Sequence, residues 1–152
     1  MALLALVALV TGGLGAVGRG AETAATLPMG SAPAPLDAAW FPSRLYAFVW
    51  RNWSLVPASR LAAVVGAKAD DIERVGRSMG LPTPRGLSET QRRRAALTII
   101  RRNWHLLPYD QMLTLLDWTA DELAYALRED DFLFHKLGLL KPKAEPLRWA
   151  EP

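Results

Sequence analysis

Apolar and polar positions follow the same order in two stretches of the chain. Shifted by 51 residues, segment 51–72 (RNWSLVPASRLAAVVGAKADDI) lies over segment 102–123 (RNWHLLPYDQMLTLLDWTADEL) without a gap. Arg, Asn, Trp, Leu, Pro, Ala and Asp recur identically, and Val56/Leu107, Leu61/Met112, Val64/Leu115, Val65/Leu116, Asp71/Glu122 and Ile72/Leu123 change conservatively. Ordinary residue frequencies would give about one or two identities over such a window. Two copies make a duplication; a solenoid needs about three repeats to bury a continuous core.

Each copy predicts three helices. The first ends near the RNW triplet, over 43–53 in copy one and 89–104 in copy two. Ser88 and Gln91 have the spacing of a capping box at the second of these starts. Pro57 and Pro108 suit the first turn of the next helix, where a missing N–H costs nothing. Leu61, Val64 and Val65, with their counterparts Met112, Leu115 and Leu116, then sit at i, i+3, i+4 and predict one buried stripe. A third helix begins near Ala69 and Ala120, with Thr119 and Glu122 spaced as a capping box and acidic first turns that complement the helix dipole. No stretch alternates with period two over β-branched residues. The predicted class is all-α, built from two degenerate three-helix repeats.

Copy one carries a more particular spacing. Ala62, Gly66 and Ile72 stand at i, i+4 and i+10, so segment 60–81 resembles the DNA-binding helix-turn-helix family. That resemblance implies a recognition helix over 69–79 with Arg74 and Arg77 facing DNA. Asp70, Asp71 and Glu73 share the helix and would repel phosphate, and copy two departs from the pattern at Leu113 and Asp117-Trp118.

Composition changes the picture mainly at the N-terminus. Segment 1–18 is uncharged with an apolar core and small residues after it, which predicts a signal peptide and a secreted or periplasmic protein. It falls short of the roughly 20 strongly apolar residues of a membrane span, so no stable span is expected. Segment 19–35, rich in Ala and Pro, reads as a linker. Repeat one then covers 36–82, repeat two 83–140, and 141–152 reads as an extended C-terminal lead-in. The absence of Cys excludes disulfides and thiol-based zinc or redox chemistry. A net charge of +3 decides nothing about nucleic acid.

The basic run 91–94, with Arg101 and Arg102, reads as a solvated helix face opposite a packing face of Ala96, Ile99, Ile100 and Asn103. Trp53 and Trp104 occupy equivalent repeat positions and read as core plugs. Trp40 and Trp149, at the edges of the folded region, are candidates for meeting a glycan or a neighbouring domain. His135 belongs with them: Glu129, Asp130 and Asp131 lie close by in sequence, and Asp131 and His135 would share a helix face. A zinc site needs a third ligand, so neither a metal nor another cofactor is expected. Nothing in the motifs supports catalysis.

Segment 102–147 also resembles the N-terminal helical segment of large exported bacterial proteins of glycoside-hydrolase-like or uncharacterised type. The resemblance implies a leading module whose partner is a following domain of the same protein or a glycan, and it carries over no catalytic residue. The sequence expectation is therefore a non-enzymatic exported accessory or docking module. Its alternative is a regulatory helix-turn-helix protein.

Overall fold

The computed structural model describes residues 27–28, 34–130 and 132–151. The predicted signal segment and most of the linker lie outside them. Among the described residues all regular structure is helical. Copy one supplies α1 (Arg44–Asn52), α2 (Ala58–Val65) and α3 (Ala69–Ser78). Copy two supplies α4 (Glu89–Asn103), α5 (Tyr109–Leu116) and α6 (Ala120–Glu129), and a short α7 (Leu133–Lys136) follows. No helix among the described residues is long and apolar enough to cross a membrane.

Local chemistry explains the boundaries. Ser88 accepts from the Gln91 N–H while the Gln91 side chain accepts from the Ser88 N–H, and Thr119 and Glu122 do the same at α6. Pro57 and Pro108 stand one position earlier than expected, as extended N-caps; their carbonyls accept the first helical bonds. Both second helices stop in a left-handed residue, Gly66 at φ 74° and Asp117 at φ 60°. Asp is among the few residues that tolerate this conformation, so copy two keeps the turn without the glycine.

The two units face each other about a local two-fold axis. Asn52 and Asn103, both fully buried, exchange side-chain bonds: Asn52 Nδ2 donates to Asn103 Oδ1 at 3.0 Å and Asn103 Nδ2 to Asn52 Oδ1 at 2.8 Å. Each amide also donates to the carbonyl four residues back, Phe48 and Ile99 respectively. Arg51 Nη1 donates to the Arg102 carbonyl at 3.0 Å, and Arg102 Nη1 returns the bond to the Arg51 carbonyl at 2.6 Å. Residue i meeting j while j meets i is the signature of an isologous interface, here inside one chain. The helix pairs agree, α1 lying on α4 and α2 on α5. Burial and the adjacent Arg102 charge together pull the Arg51 guanidinium below its usual pKa.

The apolar stripe closes each unit. Leu61, Val64 and Val65 are buried with Phe48, Ile72 and Val75; Met112 is buried with Ile100, Leu123 and Leu127. The expected packing face of α4 is buried too. Trp53 and Trp104 are core plugs, and each indole N–H donates to chain leaving the third helix of its unit: Pro82 at 2.6 Å and Leu140 at 3.0 Å.

The units differ in one respect that matters below. α3 packs closely on both α1 and α2, whereas α6 does not approach α4 and α5 to the same degree. Small residues at the copy-one contacts have large counterparts in copy two: Ala62 faces Leu113 in the repeat alignment, and Gly76 faces Leu127.

Two stretches outside the helices behave differently from expectation. Leu27, assigned to a linker with nothing to pack, is buried in the core of the second unit, and the Pro28 carbonyl accepts from the Tyr109 hydroxyl at 2.7 Å. Segment 141–149, expected to be an extended lead-in, has no regular secondary structure and lies on the body of the protein. Lys141, Ala144 and Leu147 are buried, and the Trp149 N–H donates to the Val65 carbonyl at 2.8 Å.

Candidate functional site

The separation of α6 from α4 leaves an open groove of about 870 Å³. Its floor is apolar, made by Ala96 and Leu97 of α4, Leu115 and Leu116 at the end of α5, Trp118, and Ala126 of α6. Copy one closes one end with Leu55, Val56 and Pro57. Tyr125, 59% exposed, stands on the rim.

The rim is charged and largely self-paired. Arg60 meets Asp117 at 3.0 Å, joining the two copies across the groove mouth. Arg92 and Arg93 both reach Glu89, at 2.7 and 3.4 Å, and these bonds hold the Glu89 carboxyl below its usual pKa. Glu122 serves the α6 cap. Asp121 and Asp130 complete the rim, giving five carboxylates to three guanidiniums.

Rotation about the two-fold brings this groove onto a second one, and there the protein's own C-terminal segment is seated. Gln111, the counterpart of Arg60, clamps Leu147 from both sides: its Nε2 donates to the Leu147 carbonyl at 2.6 Å and its Oε1 accepts from the Leu147 N–H at 2.8 Å. The same Nε2 donates to the Val64 carbonyl at 2.8 Å. Arg44 links the Leu106 and Glu145 carbonyls. Leu147 and Trp149 pack on the core cluster that holds Leu45, Val64 and Val65.

Lys141 begins the seated segment and is itself buried. Its Nζ donates to the carbonyls of Trp104 at 2.7 Å, Leu107 at 2.6 Å and Pro142 at 3.2 Å, and it lies 5.2 Å from the centre of the Trp104 ring. The ammonium therefore closes the C-terminal end of α4, where carbonyls would otherwise go unpaired. Burial pulls its pKa down to about 8. The unfolded chain keeps this proton to about pH 10.5, so between those values it binds more protons than the folded protein, and stability rises with pH. Tyr109, its hydroxyl pKa pushed up by burial, works the other way above pH 10, because only the unfolded chain then ionises. Denaturation series should thus show stability climbing by about 2 kcal/mol from pH 8 to 10. Lys141→Met should lack that rise; a parallel profile in the variant would show that Lys141 does not titrate there.

The candidates named from sequence are scattered over the surface. Trp40 is 96% exposed. Trp149 is half-buried and helps seat the C-terminal segment. His135 is exposed on α7 beside Phe132, at a ring distance of 6.4 Å. α6 ends at Glu129 with Asp130 in extended conformation, and α7 begins at Leu133; Asp131, expected to share a helix face with His135, lies outside the described residues. Among the described residues no group of three or more His, Asp or Glu is placed to hold a metal. Arg74 and Arg77 are exposed on α3, but each is paired within its own helix, to Asp71 at 2.8 Å and Glu73 at 3.2 Å. A phosphate would have to displace both carboxylates. His105, whose pKa is lowered first by burial and then by Lys141 and Arg51, accepts the Leu36 N–H on Nδ1.

Sequence reasoning missed Arg60, Gln111 and Lys141. The repeat alignment already paired Arg60 with Gln111, and the differences between copies, rather than the identities, were the signal. Comparison with protein-family profiles, with curated proteins and with solved structures returns no match for this chain.

Proposed function

We propose that this chain is a non-enzymatic helical docking module, exported from the cell that makes it, whose working surface is the groove between α4 and α6. One observation carries the reading. Two grooves are related by the internal two-fold, one is filled by a segment of chain, and the other is open with an apolar floor and a charged rim. An apolar floor offers burial energy to a partner, while a rim of fixed charges selects among partners. Three of the five rim carboxylates, Glu89, Asp117 and Glu122, are tied into ion pairs and a helix cap, an arrangement suited to recognition rather than to proton transfer. Placement as the leading module of a larger carbohydrate-processing protein belongs to the same proposal.

Photo-crosslinking in the producing cell tests the docking surface. A benzophenone side chain at Tyr125 should give one discrete adduct, and the same group at Arg85, exposed in the loop between the units, should not. The charge reversal Asp121→Lys, on an exposed rim position, should reduce the Tyr125 adduct severalfold. Equal labelling from both sites would overturn the assignment.

A further inference from the structure

The structure assigns the open groove to an extended peptide of another protein, anchored by an aliphatic side chain with a basic residue directly after it. This rests on the docking reading above and names its occupant. The filled groove shows what such a surface accepts: segment 141–149 has no regular secondary structure and is held by its backbone and by buried Leu147. Gln111 and the Val65 carbonyl bond it directly, with Arg44 on the Glu145 carbonyl, while the Val64 and Leu106 carbonyls beside it are taken by Gln111 and Arg44; of these positions Val64, Val65, Leu106 and Gln111 bear on the comparison. Their counterparts 51 residues away are Leu115, Leu116, Leu55 and Arg60, and all four line the open groove. The same backbone frame is thus presented twice, once with a peptide in it.

The differences between the two grooves specify the peptide. On the filled side Arg148, next after the anchor, shares a small depression with Gly66. Gly66 corresponds to Asp117, so in the open groove a carboxylate stands where that side chain passes. Five acidic groups against three basic ones around the groove favour a cation at this point. A second copy of this chain's own C-terminal segment is a poorer occupant. Gln111 grips both the N–H and the carbonyl of Leu147, whereas Arg60 can only donate and is already held by Asp117. A segment leaving its own clamp would not find another.

Nuclear magnetic resonance titration of the full chain with the peptide AAALRAA, which carries the aliphatic-basic pair without this chain's own C-terminal sequence, and with its variant AAALEAA tests this. The first should shift the amides of Trp118, Tyr125 and Ala126, and the second should bind about fivefold more weakly, the size of one exposed charge pair. Asp117→Asn should abolish that difference. Equal binding of both peptides in the groove would overturn the basic requirement while leaving docking intact. Shifts confined to Val64, Gln111 and Trp149 would mean displacement of the resident segment and would overturn the assignment. No shift with either peptide would overturn the extended-peptide occupant; a discrete Tyr125 adduct would then still support docking by a partner of other shape.

Discussion

Asn52→Ala should destabilise the fold by about 3–4 kcal/mol, and Asn103→Ala by nearly the same amount. Each amide is fully buried and fully satisfied, with both Nδ2 hydrogens donated and its Oδ1 accepting from the other. Removing one side chain strands an Oδ1 and an N–H of its partner in the core and leaves a cavity besides. The double variant should cost less than the sum of the two by about 1–3 kcal/mol, because the second deletion removes groups the first had already orphaned. Denaturant titration of the four proteins in the cycle measures this coupling. Strict additivity would mean that the two amides do not share bonds across the axis. Leucine at both positions, with the same number and branching of side-chain heavy atoms, should recover part of the loss, since replacing both partners of a buried polar pair is far milder than replacing one.

The cycle also bears on what the sequence could reveal. Local rules placed the helix starts: the boxes at Ser88 and Thr119 depend only on residues three apart, and both form. The apolar stripes depend on spacing alone, and five of their six residues are buried, with Leu116 partly so. Duplication was visible as identity, but identity does not say that the copies face each other. That follows from two asparagines and two arginines in the RNW triplets, whose partners lie across the fold. The C-terminal segment was harder still. Its Pro, Lys and Glu residues have the look of solvated chain, yet its hold comes from backbone bonds to Gln111 and from carbonyls around Lys141, contacts no local pattern encodes. The groove had no signature of its own because it arises where the copies fail to match.

Gly76→Ala tests the origin of that mismatch and should cost about 1–2 kcal/mol in stability. A Cβ at Gly76 would fall on the six-membered ring of Trp53, reaching 2.7 Å from Cζ2 and closer to its neighbours. Trp53 cannot swing aside cheaply: it is 7% exposed, and its Nε1 is bonded to the Pro82 carbonyl at 2.6 Å. Overpacking of this kind costs about 1–3 kcal/mol and occasionally more, and the roughly 1 kcal/mol that alanine gains over glycine in a helix offsets only part. Adding Trp53→Phe removes the outer ring atoms that clash, so the double variant should be more stable than additivity allows. Thermal or denaturant unfolding reads both effects; a neutral Gly76→Ala would show that α3 moves away freely. The remoteness of Gly76 from the open groove makes a second readout informative. At the corresponding position copy two already carries Leu127, buried, and α6 stands off. If side-chain bulk at this one contact sets the spacing of the third helix, Gly76→Ala should loosen α3 and the seated C-terminal segment while peptide shifts at Tyr125 and Ala126 stay as they are.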